Sequence, residues 1–244
     1  MQTYAIGDIH GQCDLLEAAH DRIAADRAAH GDEDAPVIHL GDLTDRGPDS
    51  RGVMERLTAA DADPRWHVIM GNHDRMMAHF LRPRSARDPL RDDLNWLAPP
   101  LGGRPTLASY GVDVDERRSA AEIHADAMEA VPEAHRTFLD GLPTRIVRGE
   151  AFYCHAGVRP GIPLADQVED DLVWIREPFL SDPMEHGALI VHGHTPVEAA
   201  THYGNRLDLD TGAAYGGPLS VAVIEGRRAW LVTERGREEL RPVA

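Results

Sequence analysis

The sequence predicts an α/β fold, on three observations. Short apolar runs break off at glycine or at a polar residue, as strands do where they meet turns. Stretches with helical periodicity fall between the early runs, so strand and helix alternate in the first half. After residue 145 the runs follow one another with little helix between them, so the second half is mostly strand.

In order, Thr3 to Ile6 reads as a buried strand that ends in Gly7-Asp8-Ile9-His10-Gly11, with a helix over Cys13 to His30. Val37 to Leu40 ends in Gly41-Asp42 before a helix over 49–60. His67 to Met70 ends in Gly71-Asn72 before a helix over 73–81. Residues 82–118 are rich in Pro and Arg and hold no period, so they read as an irregular covering with short helices. A helical stretch over 119–140 is interrupted at Pro132. Arg145 to Val147 and Ala151 to Cys154 flank a Gly149-Glu150 turn and end at His155. Ala188 to Val191 leads into His192-Gly193-His194, and Arg206 to Leu209 ends at Asp210-Thr211-Gly212. The runs Leu219 to Ile224 and Ala229 to Val232 form a closing hairpin around Glu225-Gly226.

The 244 residues suit one domain over 1–244, with an insertion or cap around 82–140. With 25 basic and 41 acidic residues the formal charge is −16, which disfavours sequence-independent binding to nucleic acid or anionic membrane. An anionic substrate would need a locally positive site, and a metal can supply one. Cys13 and Cys154 make no disulfide framework, although spacing alone leaves one bridge between them open. A reducing, cytoplasmic setting is the expectation. The start lacks the regions of a secretory signal, and a cleaved leader would remove Asp8 and His10.

The ends of the runs carry the chemistry: GDIHG at 7–11, GDLTDRG at 41–47, GNHD at 71–74, HAG at 155–157 and GHT at 193–195. Each delivers a hard or borderline metal ligand from a strand end, and thiolates are missing from the set, which favours Mn, Fe or Zn in a catalytic role. Two cations about 3.5–4 Å apart need a shared anionic ligand, and Asp42 is placed to bridge. Asp8 and His10, two apart in an extended segment, can project to one side and clasp the first metal. Asn72, His155 and His194 complete the second. Arg46 offers a planar two-pronged donor for an oxyanion. His73 can reach a leaving group, and Asp45 can orient it and stabilise its charged form.

These five segments, in this order, closely resemble the phosphoprotein phosphatase family of calcineurin-like metallophosphoesterases, particularly its small bacterial and phage members. The resemblance runs from Gly7 to about Gly217. It implies an αββα sandwich with the metals at the strand carboxyl ends, and hydrolysis of phosphate monoesters by a metal-bridging hydroxide. It implies Asp8, His10 and Asp42 on one metal, and Asp42, Asn72, His155 and His194 on the other. His73 is the implied acid and Arg46 the implied clamp, with Asn72 also facing substrate. In LVWIREPF, Arg176 stands where small members carry a second phosphate-binding Arg. The expected cofactor is a pair of divalent ions, foremost Mn2+, and the expected substrate a phosphorylated protein (Ser/Thr, or Tyr) or a small phosphoester.

The alternative is a symmetrical dinucleoside polyphosphate hydrolase on the same metal frame. Such relatives often lack the second Asp of GDxxDRG, so Asp45 counts against that reading. A non-catalytic metal-binding module would be expected to have lost the acid or the clamp, and here His73, Asp45 and Arg46 are all present. Asp74 reads as a helix-start residue, His192 as a strand residue facing the core or a carboxylate, and Cys154 as a buried apolar residue aimed away from the metals. The five Arg between Arg82 and Arg104 could make a basic rim for an anionic substrate, and local pairing with Asp88, Asp92 and Asp93 on a solvated surface is at least as good a reading. Either Asp208 or Asp210 could support a ligand His.

Overall fold

The computed structural model describes residues 2–31 and 33–243. β1 (Gln2–Ile6), α1 (Cys13–His30), β2 (Val37–His39), α2 (Ser50–Ala60) and β3 (Trp66–Val68) form two successive strand–helix–strand crossovers, with β1, β2 and β3 parallel. Four helices follow: α3 (Asn72–Phe80), α4 (Gly103–Ser109), α5 (Ala120–Ala130) and α6 (Glu133–Gly141). A second sheet begins with β4 (Arg145–Arg148) antiparallel to β5 (Ala151–Cys154). After α7 (Glu169–Trp174) come β6 (Leu189–His192), β7 (Thr201–His202) and β8 (Arg206–Asp208). The chain then returns to the first sheet as β9 (Val221–Glu225), β10 (Arg228–Thr233) and β11 (Gly236–Leu240). The strand orders are β11-β10-β9-β1-β2-β3 and β4-β5-β6-β8-β7.

Strand alternation explains how the two sheets stack. Tyr4, Ile6, Val221 and Val223 face the helices, while Ala5, Ala222 and Ile224 face the other sheet. In β5, Ala151 and Tyr153 face inward, and Phe152 and Cys154 face outward onto Leu172, Ile175 and Phe179. The central strands of each sheet are therefore buried on both faces, giving the helix, sheet, sheet, helix layering expected. The burial of both faces also explains why β1, β5 and β6 read as continuous apolar runs.

The parallel directions of β1, β2 and β3, and of β5, β6 and β8, bring six strand carboxyl ends together. Cys13 and Cys154 are both free, which closes the question of a bridge. Residues 82–118 contain one helix, α4, and bury Trp96, Leu97, Leu107 and Tyr110 in the helix-side core. One expectation there is corrected. Asp88 is not a solvated partner of its neighbours: its carboxylate is buried against Arg75 of α3, with Nε to Oδ2 at 2.6 Å and Nη2 to Oδ1 at 2.9 Å. Arg91 and Asp93 do pair locally at the surface. Among the described residues, no helix is long and apolar enough to cross a membrane.

Candidate metal centre

Among the described residues, five non-glycine residues have positive φ: His10 (46°), Asp42 (49°), Asp45 (76°), Arg46 (67°) and His194 (70°). All five were singled out from sequence as site residues. Left-handed backbone is unfavourable for such residues and persists where surrounding contacts over-determine it. Here the turns after β1 and β2 are stitched together, since the N–H groups of Ile9 and His10 both donate to Asp42 O, and that of Gly11 to Leu43 O. The positive φ of His10 also corrects the expectation of an extended Asp8–His10 segment: a turn, not strand alternation, aims this imidazole.

The imidazoles are oriented by backbone carbonyls. His10 Nδ1–H donates to Thr44 O and His155 Nδ1–H to Leu40 O, each at 2.8 Å, so both rings present an Nε2 lone pair to the site. Asp42 lies between them, with Oδ2 3.4 Å from His10 Nε2 and Oδ1 3.3 Å from His155 Nε2. Its Oδ1 also accepts the His73 backbone N–H at 3.0 Å. Asn72 Oδ1 stands 3.0 Å from His155 Nε2. Two sets of donor atoms fall within 4.8 Å of one another, His10–Asp42–His73 and Asp42–His155–His194, and Asp42 is common to both. Asp8 lies outside these two sets, and its Oδ2 ties the turns together by accepting the His194 N–H at 3.0 Å. Glycine makes room for these carboxylates: a Cβ on Gly71 would collide with Asp42 Oδ1, and one on Gly193 with Asp8 Oδ1.

Burial and charge make the donor set fit for cations. Burial, with Asp210 and Asp42 nearby, pushes the Asp8 carboxyl well above the usual carboxylate range. Burial also pushes up Asp42, but His155, His73, His10 and His194 outweigh it and hold that carboxyl well below the range. Burial pulls His10 down to about 3, and burial with His155 and Arg176 pulls His194 well below its ordinary value. Neutral imidazoles are what a metal requires. Asp8 Oδ1 and His194 Nε2 are moreover buried without a hydrogen-bond partner among the described residues, and both atom types are metal donors.

Beside this set, His73 Nδ1 meets Asp45 Oδ2 at 2.6 Å in a fully enclosed contact. His73 Nε2 lies 2.9 Å from Arg46 Nη2, and Arg46 Nη1 reaches His10 Nε2. Asp45 and Arg46 do not pair with each other as surface neighbours would. A cavity of about 60 Å³ opens here, lined by Arg46, Asn72, His73, Arg176, His194 and Tyr215. A larger hollow of about 630 Å³ beside Trp66 and Phe138 holds none of the predicted site residues, so donor chemistry rather than size marks the site. Asp74 caps α3, accepting the N–H groups of Gly71 and Leu43 at 2.9 Å, as a helix-start residue should. His192 points to Asp208 and Arg206, while Asp210 lines the cavity.

Residues 1–222 match the family profile described as calcineurin-like phosphoesterase. The chain belongs to this family. It is therefore a metal-dependent phosphoesterase, as the segment order implied. A bis(5'-nucleosyl)-tetraphosphatase (asymmetrical) of Bacillus velezensis is 24% identical over 88% of this chain and 86% of its own length. A symmetrical bis(5'-nucleosyl)-tetraphosphatase of Paracidovorax citrulli is 30% identical over 90% and 91%. A solved structure of a putative diadenosine tetraphosphatase superposes with a TM-score of 0.65 at 21% identity, covering 95% of this chain and 92% of that one. The cold-active protein-tyrosine phosphatase of a Shewanella species gives 0.61 at 17% identity, covering 98% and 80%. These two structural likenesses carry the fold.

Sequence reasoning missed Trp96 and Thr106, which hydrogen-bond Asp45, and Tyr215 at the cavity mouth. Nothing in an aperiodic segment signals that Trp96 turns inward.

Proposed function

We propose that this phosphoesterase hydrolyses phosphate monoesters, with phosphoserine, phosphothreonine or phosphotyrosine in proteins as the substrate class. Asp8, His10 and Asp42 would hold one divalent ion and Asp42, Asn72, His155 and His194 a second, with Mn2+ the favoured metal. When bound, such ions supply Lewis-acid activation of water and bind phosphoryl oxygens. The chain's own residues do the rest. Arg46 and Arg176 grip the equatorial phosphoryl oxygens, and their charge offsets the substrate's dianion. With the Arg46 guanidinium drawn from His73 Nε2 onto the phosphoryl oxygens, Nε2 is free to carry a proton and gives it to the departing oxygen, while Asp45 at Nδ1 fixes the ring and balances the imidazolium.

The enclosed His73–Asp45 pair carries this reading. An alkoxide leaves poorly without a proton, whereas the phosphate that leaves from an anhydride needs none, so a buried acid pair is matched to esters. A second reading, cleavage of dinucleoside polyphosphates, is supported by the printed names of the relatives, which themselves differ in asymmetrical and symmetrical cleavage. The deciding experiment measures kcat/KM for phosphoserine, phosphothreonine and phosphotyrosine peptides beside diadenosine tetraphosphate, with Mn2+ present and a chelator control. Faster turnover of a phosphopeptide supports the first reading. Preference for diadenosine tetraphosphate by about tenfold, or 1.4 kcal/mol, overturns it.

A further inference from the structure

We infer that the 82–118 segment positions the proton donor, with Trp96 and Thr106 holding Asp45 so that His73 is aimed at the leaving group. This rests on the reading of His73 as the acid. The Asp45 carboxylate is wholly buried and its acceptor sites are divided among three donors. Oδ2 takes Trp96 Nε1–H at 2.8 Å as well as His73 Nδ1, and Oδ1 takes the Thr106 hydroxyl at 2.7 Å. Thr106 Oγ1 in turn accepts the Asp45 backbone N–H at 2.8 Å, closing a ring around one residue. The Arg46 N–H points to Gly102 O at 3.4 Å, so the same segment braces both left-handed residues, Asp45 and Arg46.

Trp96 and Thr106 are themselves packed in place. The Trp96 ring is buried 4.9 Å from Phe80, and Gly103 lies flat against it where a Cβ would collide. Thr106 is fully buried and bonded to Ser50 Oγ at 3.2 Å. Neither residue lines the cavity beside the donor sets. A carboxylate held at both oxygens keeps one rotamer, and so keeps Oδ2 on His73 Nδ1 and Nε2 beside Arg46 at the cavity wall. Trp96 and Thr106 are thus positioning residues for the acid, supplied by a segment remote from the metal-binding turns.

The test uses the Mn2+-loaded full chain and compares kcat on an alkyl phosphate with kcat on p-nitrophenyl phosphate, whose leaving group departs without a proton. Trp96→Phe keeps the ring and drops only the N–H, and Thr106→Val keeps the shape and drops the hydroxyl. Each should lower the alkyl-to-aryl ratio by at least about fivefold with metal content unchanged, and Thr106→Ser should restore it to within about twofold. In metal-free protein, the downfield Nδ1 proton of His73, assigned by its loss in His73→Asn, should shift in both impaired variants. A ratio change below about fivefold in either variant, or a Thr106→Ser as impaired as Thr106→Val, overturns the inference for that residue. His73→Asn separates the two levels of the argument. If it leaves the ratio unaltered, the acid reading itself fails; if it lowers the ratio while Trp96→Phe and Thr106→Val do not, only the positioning role fails.

Discussion

Removing the Asp88 carboxylate tests whether the 82–118 segment is fastened to the site or merely covers it. Asp88 holds Arg75 through two parallel bonds, accepts Trp174 Nε1–H at 3.2 Å and accepts the Leu90 N–H at 2.9 Å. Arg75 lies three residues after Asn72 and two after His73 on α3, and the Trp174 ring meets His194 edge-on at 6.1 Å. Asp88→Ala leaves a buried guanidinium without its main partner, a change that costs about 3–5 kcal/mol in comparable pairs. Arg75 Nη1 keeps Asp170 at 2.8 Å, but that carboxylate is half exposed and screened, so the loss should fall near the low end, about 3 kcal/mol. At roughly 2–4 °C per kcal/mol for a chain of this size, the melting temperature should drop by about 6–12 °C. Burial pushes the Asp88 carboxyl up, and Arg75 outweighs it to hold it below the usual range. The stabilisation is therefore present above the ordinary carboxylate range and lost as pH falls through the depressed value, so the gap between parent and variant should narrow in acid. Calorimetric melts across pH, with Arg75→Met/Asp88→Ala as the double variant, check this. A drop below about 2 °C near neutrality, a gap that widens in acid, or a double variant worse than Asp88→Ala would refute the reasoning.

Three further outcomes concern the site. His73→Asn should retain its metals, because the His73 contact to Asp42 is a backbone N–H that survives the substitution, while alkyl phosphate turnover falls by about 10²–10⁴; loss of metal by elemental analysis would make His73 a ligand instead. Asp42→Asn should weaken both metals together, and titration showing one site intact would mean that Asp42 does not bridge. Arg46→Ala should relieve product inhibition by inorganic phosphate and slow turnover at unchanged metal content, and a collapse in metal content would make its role structural.

What could be read from sequence follows from how the site is built. The candidate donors sit at strand carboxyl ends, where the apolar run must stop and a glycine must make room, so Gly41-Asp42, Gly71-Asn72 and Gly193-His194 announce themselves locally. Asp88 escaped because its partner Arg75 is 13 residues back on α3 while nearer arginines suggest a local pair. β11 escaped because an edge strand reading GREEL needs no apolar alternation. Asp208 and Asp210 could not be separated by a spacing of two, which within one strand puts both on one face. β8 ends at Asp208, the alternation breaks there, and Asp210 turns into the cavity.

The deepest gap is conformational. Left-handed backbone at His10, Asp42, Asp45, Arg46 and His194 costs on the order of 1–3 kcal/mol per residue, and nothing within a local window reveals who bears it. The structure answers for Asp45 and Arg46: Thr106 and Gly102, more than fifty residues later, bond the strained N–H groups. For Asp8 and His194 the bond runs between opposite ends of the chain and across the two sheets. The strain at this site is offset only where both sheets are stacked and the 82–118 segment lies against them, because the bonds to Thr106, Gly102 and Asp8 belong to that arrangement. The donors are local in sequence, but their aim is a property of the finished fold.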